Sequence, residues 1–386
     1  MTQTEERRRA GRRFLLAVPL VALALLFGVP WWTLVLSGPE WPTPVFVGGT
    51  VVFAVAAVAF PVLMYLGHRR AGRDWAARIG DTTLGVVWVL FAWTVLSTVL
   101  RVVLAIAGVA NPDRSRIVAY AVVAVTVVLV AWGVTEAMRV PRVRAVEVQI
   151  PRLGPGLDGT KVVVLADTHF GPLDRTRWSV RTAEAVNRLA PDIVCHAGDI
   201  ADGTVAARLT QAAPLGTIRA RLARVYVTGN HEYFGEAQNW LDHMASLGWE
   251  ALHNRNVVVS RGGSDLVLAG IDDVTARSSG LPGHGANLTE ALSGVDPDLP
   301  VLLVAHQPRQ VVQAAAAGID LQVSGHTHGG QIWPFHYLVR FDQPSVHGLS
   351  RHGERTLLYT SRGAGFWGPP LRVFAPSEIT LLTLRP

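Results

Sequence analysis

Four stretches within the first 140 residues hold no charged side chain, and nothing else in the sequence constrains the fold as strongly. They cover residues 14–36, 45–66, 82–100 and 117–135. A helix of about 20 apolar residues crosses the roughly 30 Å of hydrocarbon in a bilayer, so each stretch can span one. The third can run on to residue 108 if Arg101 snorkels toward an interface, and the fourth to residue 138. Residues 1–140 therefore read as a membrane region of four helices. A transport path needs ionisable side chains or broken helices within its spans. Arg101, Pro19 and Pro61 interrupt these without making a polar path, so the region reads as an anchor.

Arginine fixes the expected orientation. Arg7, Arg8, Arg9, Arg12 and Arg13 precede the first span, and the loop 37–44 has no arginine. Arg69, Arg70, Arg73 and Arg78 fill the second loop, Arg114 and Arg116 the third, and Arg139, Arg142 and Arg144 follow the fourth span. Cytoplasmic segments carry the basic excess, so a multi-pass protein of the cell membrane is expected, with the chain beyond the last span in the cytoplasm. Arg12-Arg13 faintly resembles a twin-arginine export signal. The apolar core of a signal is shorter, about 7–15 residues, and this one runs on into Trp31-Trp32, as an anchor does. The net charge of +6 does not point to nucleic acid. Of the 35 basic residues only Lys161 is not arginine, and many of the arginines edge the apolar stretches, so no nucleic-acid partner is expected. One cysteine, Cys195, excludes a disulfide framework and a cysteine-rich zinc site.

From about residue 146 the pattern changes. Short β-branched runs at 161–166, 192–197, 224–228, 266–270, 300–305 and 320–323 alternate with helical patterns at 175–189, 236–247 and 309–317. Further strand-like runs at 355–360 and 378–384 have little helix between them. This is an α/β domain over 146–386, and a pair of sheets flanked by helices fits it better than one doubly wound sheet. About eight residues separate the last span from the first strand on this reading, a reach of at most ~30 Å, which would keep the domain close to a bilayer.

The strand ends carry the chemistry. The first ends in Asp167-Thr168-His169, the second in Gly198-Asp199-Ile200-Ala201-Asp202, and the third in Gly229-Asn230-His231-Glu232. The fifth ends in His306 and the sixth in Gly325-His326-Thr327-His328. Ligands of α/β sheets collect at the carboxyl ends of strands. Imidazole and carboxylate without thiolate suit divalent zinc, iron or manganese rather than a structural zinc site. Asp-x-His can aim two side chains at one ion, His326-x-His328 can divide its rings between two, and Asp199 can bridge them with one oxygen each. Gly198, Gly229 and Gly325 are expected to let the backbone turn just ahead of each donor.

With these blocks in this order, the chain resembles the calcineurin-like metallophosphoesterases over roughly residues 146–386. The resemblance implies a four-layer sandwich of two mixed β-sheets flanked by helices, here preceded by four transmembrane helices, and a centre of two divalent ions (manganese, iron or zinc). It implies that Asp167, His169 and His328 hold the first ion, that Asn230, His306 and His326 hold the second, and that Asp199 bridges them. His231 would be the acid or transition-state donor, and Asp202 a supporting carboxylate that is not a ligand. The stretches Leu157-Asp158-Gly159, Gly329-Gly330-Gln331 and Ser361-Arg362-Gly363 look most like the bacterial membrane-associated branch, which includes UDP-diacylglucosamine pyrophosphohydrolases. Two features depart from that branch. Four spans stand where one anchor or a signal is usual, and His196 stands at an aliphatic position, where it reads as a strand histidine rather than an extra ligand.

The expected reaction is attack on phosphorus by a hydroxide shared between the ions, cleaving a phosphodiester or pyrophosphate bond. Close tethering favours a lipid-linked substrate. Trp333, Phe335, Tyr337, Phe366 and Trp367 would serve either as a membrane-facing lip or as ordinary lid packing. The alternatives are a phosphomonoesterase acting on proteins and a catalytically silent membrane scaffold. The sequence does not address oligomeric state.

Overall fold

The computed structural model describes residues 18–69 and 72–386 and divides the chain into two compact units, Met1–Trp132 and Gly133–Pro386. The start of the first apolar stretch, the five arginines ahead of it and Arg70 lie outside the described residues.

The apolar stretches form helices α1 (Val18–Leu36), α2 (Thr43–His68), α3 (Asp74–Ile106) and α4 (Asp113–Met138), the last ending in the second unit, and all are long and apolar enough to cross a membrane. α2 buries no residue, as expected of a helix apolar on every side that turns its surface to lipid. Where α2 and α3 meet, the contact is made by small residues. A Cβ on Gly67 would press into the backbone of Ala77, and one on Gly80 would touch Leu63 and Met64. α3 begins at Asp74, about two turns ahead of the uncharged stretch. Arg78 and Asp81 end the apolar run without ending the helix, because charge does not break a helix at the interface.

The second unit contains twelve strands in two six-stranded mixed sheets. The strands are β1 (Arg142–Gln149), β2 (Lys161–Leu165), β3 (Ile193–Ala197), β4 (Ala223–Val227), β5 (Glu250–Ala251), β6 (Arg255–Arg261), β7 (Ser264–Gly270), β8 (Val301–Val304), β9 (Leu321–Ser324), β10 (Gly348–His352), β11 (Thr356–Thr360) and β12 (Glu378–Arg385). The first sheet runs β1-β12-β2-β3-β4-β5 and the second β10-β11-β9-β8-β7-β6. Within them β2-β3-β4 and β9-β8-β7 are parallel.

Side-chain alternation builds the layers. On β2, Val162 and Val164 face the core between the sheets, whereas Val163 and Leu165 face the helices outside. On β8 the same division recurs: Leu302 and Val304 point between the sheets, and Val301 and Leu303 point outward. Strands buried on both faces must be apolar throughout, which is why these runs stand out in the sequence. Helices α5 (Thr176–Arg188), α6 (Val205–Ala212), α7 (Asn230–Phe234) and α8 (Ala237–Ser246) follow strands of the first sheet. The expected sandwich of two mixed sheets flanked by helices is the observed one.

One spacing differs from expectation. β1 begins at Arg142, so three residues rather than about eight separate α4 from the first strand. The strand leaves little trace in the sequence because six of its eight residues are exposed and charges alternate with its apolar side chains.

Candidate metal centre

The loops after β2, β3 and β4 of the first sheet meet the loops after β8 and β9 of the second. Asp167, His169 and His328 bring ligand atoms within 4.8 Å of one another, and so do Asp199, His306 and His326. Asp199 lies between the groups, with Oδ2 3.5 Å from His169 Nε2 and 3.2 Å from His306 Nε2. Asn230 Oδ1 is 3.0 Å from His306 Nε2 and 2.9 Å from His326 Nδ1. The seven candidate donors thus gather around Asp199, which also forms a group of possible ligands with His169 and His231. His231 and Asp202 stand beside them.

The backbone that aims these donors is strained. Asp167, His169, Asp199, His326 and His328 have φ of 54°, 42°, 53°, 70° and 51°, a left-handed conformation that costs an L-residue roughly 1–2 kcal/mol. Such strain persists where the surroundings over-determine it, commonly at functional sites. The expected role of the glycines, to let the backbone turn, holds at Gly198 alone. Of the three, only Gly198 has positive φ, at 87°. Gly229 and Gly325 are needed for space, since a Cβ would collide with the carboxylates of Asp199 and Asp167 respectively.

Four further residues hold the loops. Glu232, fully buried, accepts hydrogen bonds from the backbone N–H groups of Asp199 (3.0 Å), Ile200 (2.7 Å) and Gly229 (2.6 Å), tying the Asp199 loop to the Asn230 loop. Burial, with the charge of Asp199 beside it, pushes its pKa up to about 7. Asp202 Oδ1 lies 2.9 Å from His169 Nδ1 and 2.6 Å from His231 Nδ1, orienting both rings. Arg175 donates to the carbonyls of Thr168 and His169 and stacks on Trp178 and Phe366. Arg372, fully buried, donates to the carbonyls of His328, Gly365 and Ala375. Sequence reasoning assigns Glu232, Arg175 and Arg372 no role. Glu232 stands in plain view, in the block with Asn230 and His231, but its job is to hold backbone, which leaves no spacing signature.

The electrostatics call for positive charge. Imidazole nitrogens face each other across 3.1 Å (His169 and His328, both Nε2) and 3.3 Å (His306 Nε2 and His326 Nδ1), so each contact needs a proton or a cation between its two nitrogens. Burial raises the pKa of Asp199, but the charges of His306 and His231 outweigh it and hold the carboxyl well below its usual range. Burial lowers that of His306, and Asp199 and Asp167 more than reverse it, so the ring is held well above its ordinary value. A proton on His306 meets part of this demand, and divalent cations meet all of it. Three buried groups of carboxylate and amide oxygen among four imidazoles, without thiolate, match the preferences of manganese, iron and zinc. Burial lowers the His231 pKa, yet Asp199 and Asp202 lift it to about 9. Its ring also lies edge-on to Phe234 and Trp367, with centroids 5.1 and 5.8 Å away.

His196 faces the outer layer of the first sheet, edge-on to Tyr226 and Trp249, with Nε2 3.3 Å from Thr168 Oγ1. It belongs to none of the ligand clusters found among the described residues. The aromatic residues divide. Phe366 is buried against Arg175, whereas Phe335, Tyr337 and Trp367 are exposed. Beside them the helix His336–Asp342 buries none of its residues.

Comparison with known proteins agrees with this geometry. The family described as calcineurin-like phosphoesterase matches residues 160–330. A transmembrane protein with metallophosphoesterase domain from Bos taurus is 40% identical over 273 residues, covering 68% of this chain and 61% of that protein. Its Danio rerio counterpart is 38% identical over 267 residues, with the same two coverages. An uncharacterized metallophosphoesterase of Campylobacter jejuni is 33% identical over 301 residues, covering 77% of this chain and 78% of that one. The chain spans about three fifths of the length of the two animal relatives. With four N-terminal helices long and apolar enough to cross a membrane, the chain belongs to the calcineurin-like metallophosphoesterases.

Proposed function

We propose that this protein holds two divalent ions and hydrolyses a phosphodiester or pyrophosphate bond in a lipid-linked substrate, working at the cytoplasmic face of the cell membrane. Asp167, His169 and His328 would hold one ion, Asn230, His306 and His326 the other, and Asp199 both. Bound there, the ions would supply Lewis acidity toward the phosphoryl oxygens and lower the pKa of water. His231, whose pKa Asp199 and Asp202 lift to about 9, would donate its proton to the leaving oxygen or a hydrogen bond to the phosphoryl group. Asp202 fixes that ring and the ring of His169 together.

The observation that carries the substrate class is a cavity of about 270 Å³ beside the His328 loop, lined by Arg340, Arg362, His336 and His347 together with Trp333 and Phe374. It offers two guanidinium groups and no carboxylate to a second anionic group, as a pyrophosphate or phosphorylated lipid headgroup would present. Exposed Phe335, Leu338, Phe341 and Phe374 beside it offer apolar surface to an acyl chain. Three residues join α4 to β1, which ties the enzyme to the bilayer its spans occupy. The arginine excess around the second loop and after the fourth span supports the cytoplasmic side.

The test is hydrolysis of bis-(p-nitrophenyl) phosphate and p-nitrophenyl phosphate by the detergent-purified chain, with manganese, after chelation, and beside Asp199→Asn. Chelator-sensitive cleavage favouring the diester is expected, with faster turnover of phosphodiesters embedded in vesicles than of soluble ones. A preference for the monoester would replace this reading with a phosphomonoesterase. Equal rates on embedded and soluble diesters would remove the lipid.

A further inference from the structure

A second group of metal-binding side chains lies apart from the strand-end clusters. His253 follows β5, Asp272 follows β7, and His284 lies in the loop 280–287; each brings a ligand atom within 4.8 Å of the others. His253 Nδ1 is 2.7 Å from Asp272 Oδ1, and His284 Nδ1 is 4.0 Å from Asp272 Oδ2. The two rings lie 4.5 Å apart, and Asp272 is buried.

The hydrogen bonds around His284 determine which of its nitrogens bears the proton. Gln238 Nε2 donates to the Asp242 carboxylate (2.8 Å), so the oxygen of the same amide is the atom that faces His284 Nε2 at 3.1 Å. An amide oxygen only accepts, so Nε2 carries the hydrogen and Nδ1 is left as a lone pair. Tyr233 Oη lies 3.1 Å from that Nδ1. That nitrogen accepts from the Tyr233 hydroxyl, which an ion would displace, and stands 4.0 Å from a buried carboxylate oxygen with no proton of its own to offer. Ligating imidazoles commonly donate their distal N–H to an oxygen in this way, which fixes the tautomer and orients the ring toward the ion.

We propose that His253, His284 and Asp272 form a zinc site, distinct from the centre at the strand ends. Two nitrogens and one carboxylate suit zinc better than magnesium or calcium, which prefer oxygen. Ligands of a tetrahedral zinc stand ~3.3 Å apart. The 2.7 Å contact would open slightly and the 4.0 Å contact would close, each by under about 1 Å on that geometry. His253 is about one-third exposed, at 32%, which leaves an open side for water as the fourth ligand. An ion there would join three segments (the ends of β5 and β7 and the loop 280–287) next to Tyr233 of α7, the helix that begins with Asn230 and His231.

The test is zinc stoichiometry of the full-length chain in detergent, stripped with chelator, reloaded with zinc and measured by mass spectrometry. His253→Gln/His284→Gln is expected to hold one equivalent less than wild type. In the reverse direction, Asp199→Asn/His306→Gln should keep an equivalent that the further change His253→Gln removes. Because both readouts are differences, they hold whatever number of ions the strand-end centre takes. Equal zinc in wild type and His253→Gln/His284→Gln would overturn the proposal, as would no loss on adding His253→Gln to the strand-end variant. If the paired histidine variant fails to fold, the strand-end series decides by itself. Cobalt in place of zinc should show visible absorption bands in the strand-end variant that disappear with His253→Gln.

Discussion

The two sheets of the second unit contribute unlike halves to one candidate site. The first sheet, through β2, β3 and β4, brings both carboxylates, the amide and His169. The second, through β8 and β9, brings only imidazoles: His306, His326 and His328. The supports differ in the same way. Donors of the first sheet rest on carboxylates of their own side, Glu232 beneath the loops and Asp202 behind the rings. Those of the second sheet lean across the gap: His306 Nδ1 meets the Ala197 carbonyl at 2.8 Å, and the His326 backbone N–H donates to Asp167. The negative charge therefore comes from one sheet, and much of the aim of the other depends on it.

If that asymmetry is right, damage on the first sheet should cost most. Asp199→Asn is expected to remove metal and activity together, because both clusters share this carboxylate; metal analysis beside turnover of bis-(p-nitrophenyl) phosphate checks it. His231→Gln should lower turnover by about 10²–10⁴-fold, the range for a lost general acid, while metal content stays as in wild type. An emptied centre in that variant would make His231 a ligand. Glu232→Gln preserves shape but weakens acceptance from three N–H groups, and metal affinity should fall about 10–100-fold. A loss as deep as that of Asp199→Asn would mean that Glu232 does more than hold backbone. The smallest effect is expected in the basic cavity. Arg362→Ala should raise KM roughly tenfold for substrates with a second phosphate, the scale of one charge-assisted hydrogen bond, and leave bis-(p-nitrophenyl) phosphate nearly unchanged. Equal effects on both substrates would separate the cavity from recognition of the second anion.

What is legible in the sequence also follows the architecture. The eight runs that read as strands correspond to β2, β3, β4, β7, β8, β9, β11 and β12, all interior to their sheets. The four that leave no such run, β1, β5, β6 and β10, are the four edges. Interior strands bury both faces and read as unbroken apolar runs; an edge strand such as 255–261 mixes arginine, asparagine and serine with valine and has no such signal. The donors are legible because reactive side chains cluster after those interior strands. Of their supports Asp202 is legible, whereas Arg175 and Arg372 are not, because they act on carbonyls that only the folded loops bring within reach. The pair His253 and His284 is equally silent, being separated by thirty-odd residues of ordinary sequence.

The left-handed backbone at five of the donors has a consequence for anyone engineering this protein. Glycine would relax each of those positions, by roughly 1–2 kcal/mol where the lost side chain does not offset it, so heat resistance and the candidate ligands pull against each other at the same five codons. A thermostability screen scored only on folding would therefore enrich chains that had lost these side chains.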